Sequence, residues 1–144
     1  MYFLDTNIIV YANDRSAGEK RVRCIEIVSG LMRSRQGVVS IQVLQEYACT
    51  AIQKLKQLNE VVLRQIRLLE SMCVVQPDAQ LVIRAVEIQC RSQISFWDAS
   101  IVAAAEKAAC RMILSEDLNA GQYYAGIPVQ NPLDPAFRFL GERK

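Results

Sequence analysis

Short apolar runs alternate along this chain with longer segments in which apolar residues recur at helical spacing. The short runs predict strands at residues 2–4 (extending to residue 5 at most), 38–39, 73–75, 112–114 and 127–129. The longer segments predict helices at residues 7–13, 18–34, 41–55, 58–71, 79–91 and 97–110. This alternation is typical of a parallel sheet covered by helices, so we predict a three-layer α/β/α fold.

Composition favours one domain over residues 1–144. The apolar fraction of 51% is enough to form a core, and no linker or internal repeat interrupts the pattern. No apolar run reaches the roughly 20 residues that cross a bilayer, and no basic leader precedes the first strand. Five widely spaced cysteines without a Cys-x-x-Cys pair predict free thiols. We therefore expect a cytoplasmic protein with no membrane partner.

The chain has no histidine, which excludes catalytic triads, His-ligated zinc and His-based acid–base chemistry. Any catalysis must rely on carboxylates, Lys, Tyr, hydroxyls or a metal held by oxygen. The net charge of +2 decides nothing about nucleic acid. Basic residues cluster early (Arg15, Lys20, Arg21, Arg23) and in mid-chain (Lys54, Lys56, Arg64, Arg67), and solvated helix faces are a better interpretation than a phosphate-binding track.

Two aspartates directly follow predicted strands. Asp5 ends the first strand and Asp117 follows the fourth, so both fall at the carboxyl edge of a parallel sheet, where ligands bind in open α/β folds. Each has a structural alternative. Asp5 is also a good helix N-cap, and Asp117 is also a common turn residue.

Two further acids lie in predicted helices. Asp98 is the first residue of a helix face that continues through Ile101 and Val102 and is expected to pack inward. A carboxylate on that face is costly unless it caps the helix or pairs with a cation. Glu46 lies nearly opposite the apolar stripe that includes Leu44, Ala48 and Ile52. Its position alone therefore favours a solvated surface residue.

Taken in order, four segments resemble the acidic motifs of the PIN-domain family, and most closely its VapC-type toxins. They are FLDTNIIVYA at residues 3–12, SIQVLQEY at 40–47, WDASIVAAA at 97–105 and LSED at 114–117. The resemblance covers essentially the whole chain, and the order and spacing of the segments make the set specific. It implies a five-stranded, mainly parallel sheet, a homodimer, an RNA substrate and inhibition by a small antitoxin protein.

The resemblance also assigns roles to residues. Its acids match Asp5, Glu46, Asp98 and Asp117, which raises Glu46 above what its helix position suggests. Supporting positions match Thr6, Asn7 and Ser115, with a helix-start role as the alternative for Asn7. Glu116 is ambiguous, because the fourth acid of the family maps better to Asp117 and Glu116 is also consistent with a solvated residue.

Several carboxylates in one cleft repel each other, by roughly 4 kcal/mol for two unit charges about 4 Å apart at an effective dielectric near 20. A hard divalent cation resolves this repulsion, and Mg²⁺ or Mn²⁺ prefers oxygen ligands. The hypothesis is that Asp5, Asp98 and Asp117 hold the metal, while Glu46 completes its ligand shell or orients a water. The family resemblance further implies that this metal-dependent hydrolysis of RNA leaves a 5′-phosphate and a 3′-hydroxyl.

Two other functions remain open from the sequence. One is a catalytically silent PIN-like module that binds RNA or protein, and the other is a metal-dependent phosphatase or flap-type DNA nuclease. A partner surface is also predicted on the helical hairpin of residues 41–71, for a second copy or for the antitoxin. Its apolar positions exceed what one core stripe requires, namely Leu55, Leu58, Val61, Leu63 and Leu68.

Overall fold

The computed structural model describes residues 1–138. Its helices are α1 (Thr6–Asn13), α2 (Glu19–Ser34), α3 (Ile41–Gln53), α4 (Asn59–Leu69), α5 (Ala79–Ser92) and α6 (Phe96–Lys107), with a 3-10 turn at Arg15–Ala17. Its strands are β1 (Tyr2–Leu4), β2 (Gly37–Ser40), β3 (Cys73–Val75), β4 (Met112–Leu114), β5 (Tyr123–Tyr124) and β6 (Ile127–Gln130).

The six strands form one sheet in the order β3-β2-β1-β4-β6-β5. All neighbours are parallel except β5 and β6, and Phe3 at the centre is in register with Val38 on one side and Ile113 on the other. The α/β class with a mainly parallel sheet is therefore confirmed. The sheet has six strands where five were expected, because Ala125 and Gly126 adopt positive φ angles of 50° and 75° and turn β5 back against β6.

The core lies around β1, whose three residues are all buried between β2 and β4. Helix α1 packs against α2 and α3, α3 packs against α4, and α5 packs against α6. Helix α6 also contacts three strands of the sheet, and its residues Ala99–Ala105 are buried throughout. Small side chains allow this close approach, because alanine adds little bulk between a helix and a sheet.

The phase of α3 corrects the sequence interpretation. Its buried residues are Val43, Leu44, Tyr47 and Ala51, whereas Ile52 of the predicted stripe is 44% exposed. The buried face is therefore rotated from the predicted one. It includes Tyr47, a fully buried residue that the predicted stripe left out. Helix α6 starts at Phe96 and ends at Lys107 instead of residue 110, since Ala109 adopts a left-handed φ of 52°.

All five cysteines are free, as predicted, but only Cys24 and Cys110 are buried. Burial raises the pKa of each of these two thiols to about 12, so neither ionises at neutral pH. Within residues 1–138, no helix combines the length and the apolar character needed to cross a membrane.

Candidate active site

Asp5 lies where β1 ends and α1 begins, and its two carboxylate oxygens have separate partners. Oδ1 accepts a hydrogen bond of 2.7 Å from the backbone N–H of Thr6, so Asp5 does cap α1. Oδ2 accepts from the hydroxyl of Ser115 at 2.7 Å and from the amide of Asn7 at 3.3 Å. The capping role therefore occupies one oxygen, and the other faces residues from the end of β4.

The segment after β4 is organised by the Ser115 hydroxyl. This buried oxygen accepts hydrogen bonds of 3.1 Å from the backbone N–H groups of Asp117 and Leu118. The turn is thus stabilised by Ser115, which leaves the carboxylate of Asp117 exposed and free of that role. Asn7 connects the two ends, because its amide nitrogen also donates to Asp117 Oδ2 at 3.1 Å. Asp5 and Asp117 consequently share a single amide donor.

Glu46 is half-buried rather than a solvated surface residue. Its Oε2 accepts a hydrogen bond of 2.6 Å from the Thr6 hydroxyl, and its Oε1 accepts one of 2.8 Å from Gln42. The corrected phase of α3 explains this, because Glu46 is three residues after buried Val43 and lies at the border of the true buried face. The structure therefore brings Asp5, Glu46 and Asp117 together through Thr6 and Asn7.

Asp98 is the least connected of the four acids. It lies in the first turn of α6 and is half-buried, but the cap of that helix is Ser95, whose hydroxyl accepts from the Asp98 N–H at 3.0 Å. Within residues 1–138, no side chain donates to both Asp98 and another of these acids, whereas Asn7 donates to both Asp5 and Asp117. The link is indirect, since Gln42 donates to the carbonyl of Trp97 at 3.2 Å as well as to Glu46.

Gln42 was not selected from the sequence. Its only signal is its position four residues before Glu46, which places the two side chains on the same side of α3. Because it contacts both Glu46 and the start of α6, it is the residue that joins the second and third acidic segments.

Glu116 points away from the other acids. Its carboxylate lies 2.8 Å from the ammonium of Lys20, which also sits 4.9 Å from the centre of the Tyr11 ring. Hydrogen bonds from Lys20 and then from Tyr11 lower the pKa of Glu116. Its backbone N–H nevertheless donates to the side-chain oxygen of Asn7 at 3.2 Å. Glu116 thus supports the site through its backbone while its side chain pairs with a cation.

The acidic cluster carries more negative charge than nearby cations neutralise. Burial, together with the nearby charges of Glu46 and Asp117, raises the pKa of Asp5 from 3.8 to about 6, although hydrogen bonds from Ser115 and Thr6 oppose the shift. Within the described part of the chain, no lysine or arginine forms an ion pair with Asp5, Glu46, Asp98 or Asp117.

A hard divalent cation fits this site in donor type and in charge, because the donors are carboxylate oxygens and their repulsion lacks a counterion. The side chains do not yet surround one point. Over residues 1–138, no group of three or more acidic or cysteine side chains is arranged as a completed metal site. Metal binding therefore requires the carboxylates to turn toward a common point, while Thr6 and Asn7 keep them side by side.

Comparison with known proteins gives the same picture of the fold. The sequence-family model of the PIN domain matches residues 2–125 of this chain. A search of curated proteins finds no match. PIN-domain nucleases of the VapC type generally use divalent metal ions.

Several solved structures share the fold at low sequence identity. The Mycobacterium tuberculosis toxin VapC20, which cleaves the sarcin–ricin loop, is 19% identical with a TM-score of 0.64, over 81% of this chain and 90% of that one. VapBC2 from Rickettsia felis, bound to promoter DNA, is 17% identical with a TM-score of 0.64, over 90% and 97%. DNA-bound VapBC from Salmonella typhimurium is 18% identical with a TM-score of 0.64, over 91% and 97%.

Proposed function

Because this chain belongs to the PIN-domain family, we propose that it is an endoribonuclease dependent on Mg²⁺ or Mn²⁺ and the toxin of a type II toxin–antitoxin pair. The substrate is RNA, and the reaction is hydrolysis of a phosphodiester. The proposed metal ligands are Asp5, Asp98 and Asp117, with Glu46 completing the ligand shell or orienting the attacking water. Such a toxin acts on cellular RNA, so the proposed location is the cytoplasm.

The observation that carries this proposal is the connection of Asp5 to both neighbouring acids. Asn7 donates to Asp5 and Asp117 with the same nitrogen, and Thr6 donates to Glu46 while capping bonds hold Asp5 beside it. Three carboxylates, from the end of β1, from α3 and from the end of β4, thereby lie next to each other at the carboxyl edge of the sheet.

Each supporting residue has a definite task in this proposal. A divalent ion in the site would lower the pKa of a water and stabilise the charge that develops on the attacked phosphate. Thr6 fixes one oxygen of Glu46, and Gln42 fixes the other, so Glu46 is oriented before substrate arrives. Ser115 and Asn7 hold Oδ2 of Asp5. These bonds set the directions of the carboxylates, which is the usual function of polar groups around metal ligands.

The test is cleavage of single-stranded RNA with Mg²⁺ or Mn²⁺, compared with EDTA, for the wild type and Asp5→Asn. We expect cleavage by the wild type only, and only with metal. Glu70→Gln, an exposed residue at the end of α4, is the matched control and should cleave normally. Titration of Mn²⁺ followed by its electron paramagnetic resonance supplies a second readout, in which Asp5→Asn should bind weakly. Activity that persists in EDTA and in Asp5→Asn rejects the metal mechanism.

One observation favours the second candidate, a catalytically silent module that binds RNA or protein. Asp98 is linked to the other acids only indirectly, through the bond from Gln42 to the carbonyl of Trp97, and no completed metal site exists within residues 1–138. Binding of RNA without cleavage under any metal would support this candidate. The presence of all four acids argues for the nuclease. Parallel assays with DNA and small phosphate esters separate both from a flap-type nuclease or a phosphatase.

The partner proposal concerns the hairpin formed by α3 and α4. Leu58 is 69% exposed, Leu63 is 50% exposed and Leu68 is 49% exposed, so the hairpin presents apolar surface to solvent. We assign this surface to a small antitoxin or to a second copy of the chain, in keeping with the two VapBC neighbours. Light scattering of the isolated protein tests the homodimer. Co-expression with the protein encoded by the adjacent gene tests the antitoxin.

A further inference from the structure

A groove leaves the acidic site and continues along the ends of α1 and α3. Its first part, of about 670 Å³, is lined at the acidic end by Glu46 and Asp117 and at the far end by Lys54 and Leu55. A second hollow of about 560 Å³ shares Lys54 and Leu55 with the first and adds Arg15 and Lys56. Both volumes lie in the range of ligand sites. The two hollows therefore form one path from the carboxylates to three cations.

The three cations are available to a ligand. Arg15, Lys54 and Lys56 are all exposed, and none forms an ion pair with the acids of residues 1–138. The one acid that lines both hollows is Asp14, and its carboxylate accepts two hydrogen bonds from Ser16 in capping the 3-10 turn. The far end of the groove thus carries an excess of positive charge.

The segment that carries the two lysines is held in place. The side chain of Gln57 donates to the carbonyl of Asn13 at 2.7 Å and accepts from the Tyr47 hydroxyl at 3.4 Å, which ties the segment to the end of α1. Lys56 adopts a left-handed φ of 53°, a conformation that costs a non-glycine residue energy and persists where the surroundings fix it. The lysines are therefore presented by a fixed turn instead of a loose loop.

We infer that this groove is the path of the RNA backbone beside the cleavage site, with Arg15, Lys54 and Lys56 binding phosphates next to the one that is attacked. The inference deepens the proposed function and rests on it for the identity of the substrate. The two ends of the groove have different roles in this inference. The cations at one end bind the phosphates of the RNA backbone, and the carboxylates at the other end act on the single phosphate that is attacked. It also changes the interpretation of Lys54 and Lys56, for which a solvated helix face was expected.

The experiment measures binding of a short fluorescein-labelled single-stranded RNA in EDTA, by anisotropy, over a series of salt concentrations. The groove variant carries Arg15→Gln, Lys54→Gln and Lys56→Gln. The control carries three substitutions of equal charge outside the groove, Arg64→Gln, Arg67→Gln and Arg91→Gln. Each phosphate contact contributes about 0.7 to the slope of log affinity against log salt for a single strand. We expect the groove variant to lose a slope of about 2.

Affinity at low salt should fall about twofold to fivefold for each cation removed, as for other exposed charge pairs. The control variant should keep the slope of the wild type. Equal slopes for the groove and control variants overturn the inference, and so does a wild type that binds no RNA at low salt. Loss of binding to a co-expressed protein partner alone, with RNA binding intact, also overturns it and assigns the cations to that partner.

The outcomes separate this inference from the proposed function. If wild type cleaves RNA with metal and the groove variant binds and cleaves as well as the control, the nuclease stands and the path does not. If the groove variant loses its salt slope but the wild type never cleaves RNA, the path stands and the nuclease does not.

Discussion

Substituting Asp5 by asparagine should abolish RNA cleavage and, at neutral pH without metal, make the protein more stable. The carboxyl is 7% exposed, and burial is the largest cause of a pKa that rises from 3.8 to about 6. A raised pKa of an acid means that folding disfavours the ionised form. The substitution removes that ionisation while it preserves the size of the side chain.

The magnitude follows from the two pKa values. A rise from 3.8 to about 6 corresponds to about 3 kcal/mol of destabilisation once the carboxyl is ionised in both states. Asparagine keeps one acceptor oxygen and replaces the other by an NH2 group. It therefore loses either the bond from Thr6 at Oδ1 or the bonds from Ser115 and Asn7 at Oδ2, at a cost of about 1 kcal/mol for each bond lost. The net gain for Asp5→Asn should therefore be about 1–2 kcal/mol near pH 7.

The pH dependence has a definite sign. Below about pH 4 the carboxyl is protonated in the folded and unfolded states, so Asp5 contributes no dependence on pH. Between about pH 4 and pH 6 only the folded state keeps the proton, and the stability of the wild type falls as the pH rises. Above that window the full cost persists. The stability difference between Asp5→Asn and wild type should thus change by about 2–2.5 kcal/mol from pH 4 to pH 7.

The assay is urea denaturation in EDTA at several pH values, with Glu70→Gln as the control for loss of one negative charge. Added Mn²⁺ should raise the stability of the wild type and have little effect on Asp5→Asn, since a ligand that binds only the folded state stabilises it. A stability difference that stays constant from pH 4 to pH 7 would refute the reasoning, because it would mean that Asp5 titrates alike in both states.

Other substitutions test the neighbouring contacts. Thr6→Val removes the hydroxyl that donates to Glu46 and should lower metal affinity or kcat about 10-fold to 100-fold, whereas Thr6→Ser should retain most activity. Gln57→Ala should raise KM for RNA more than it lowers kcat and destabilise the fold by about 1 kcal/mol, measured by steady-state kinetics and urea denaturation. Gly37→Ala places a Cβ 2.7 Å from the sulfur of Met72 and should destabilise by about 1–3 kcal/mol in the same denaturation assay; an unchanged midpoint would show that this side chain moves aside freely.

The order of strands and helices could be predicted, because short apolar runs indicate buried strands and longer segments with helical spacing indicate the helices that cover them. The positions of Asp5 and Asp117 followed from the same pattern, since a residue that ends a parallel strand must lie at its carboxyl edge. The additional strand β5 could not be predicted. It contains two residues and depends on Ala125 at a φ of 50°, a conformation that the sequence of an alanine does not signal.

The polar contacts of the site were harder to predict than its acids. The burial of Glu46 depends on the phase of α3, and Tyr47 as a fully buried aromatic shifted that phase from the predicted stripe. Asn7 donates hydrogen bonds to residues about 110 positions later in the chain. These contacts depend on tertiary packing, which the local spacing of residues cannot indicate. The sequence pattern indicated Asp5, Asp98 and Asp117, and the family resemblance added Glu46. The hydrogen bonds that orient these acids are seen only in the structure.

The distance along the chain between Asp5 and Ser115 has a consequence for a cell that makes this protein. The hydrogen bond that joins them spans 110 residues, so it forms only after β4 has been synthesised and has paired with β1. A ribosome-bound chain that ends before β4 lacks Asp117 and the serine that orients Asp5. The proposed nuclease activity therefore cannot arise from an unfinished chain that is still on the ribosome.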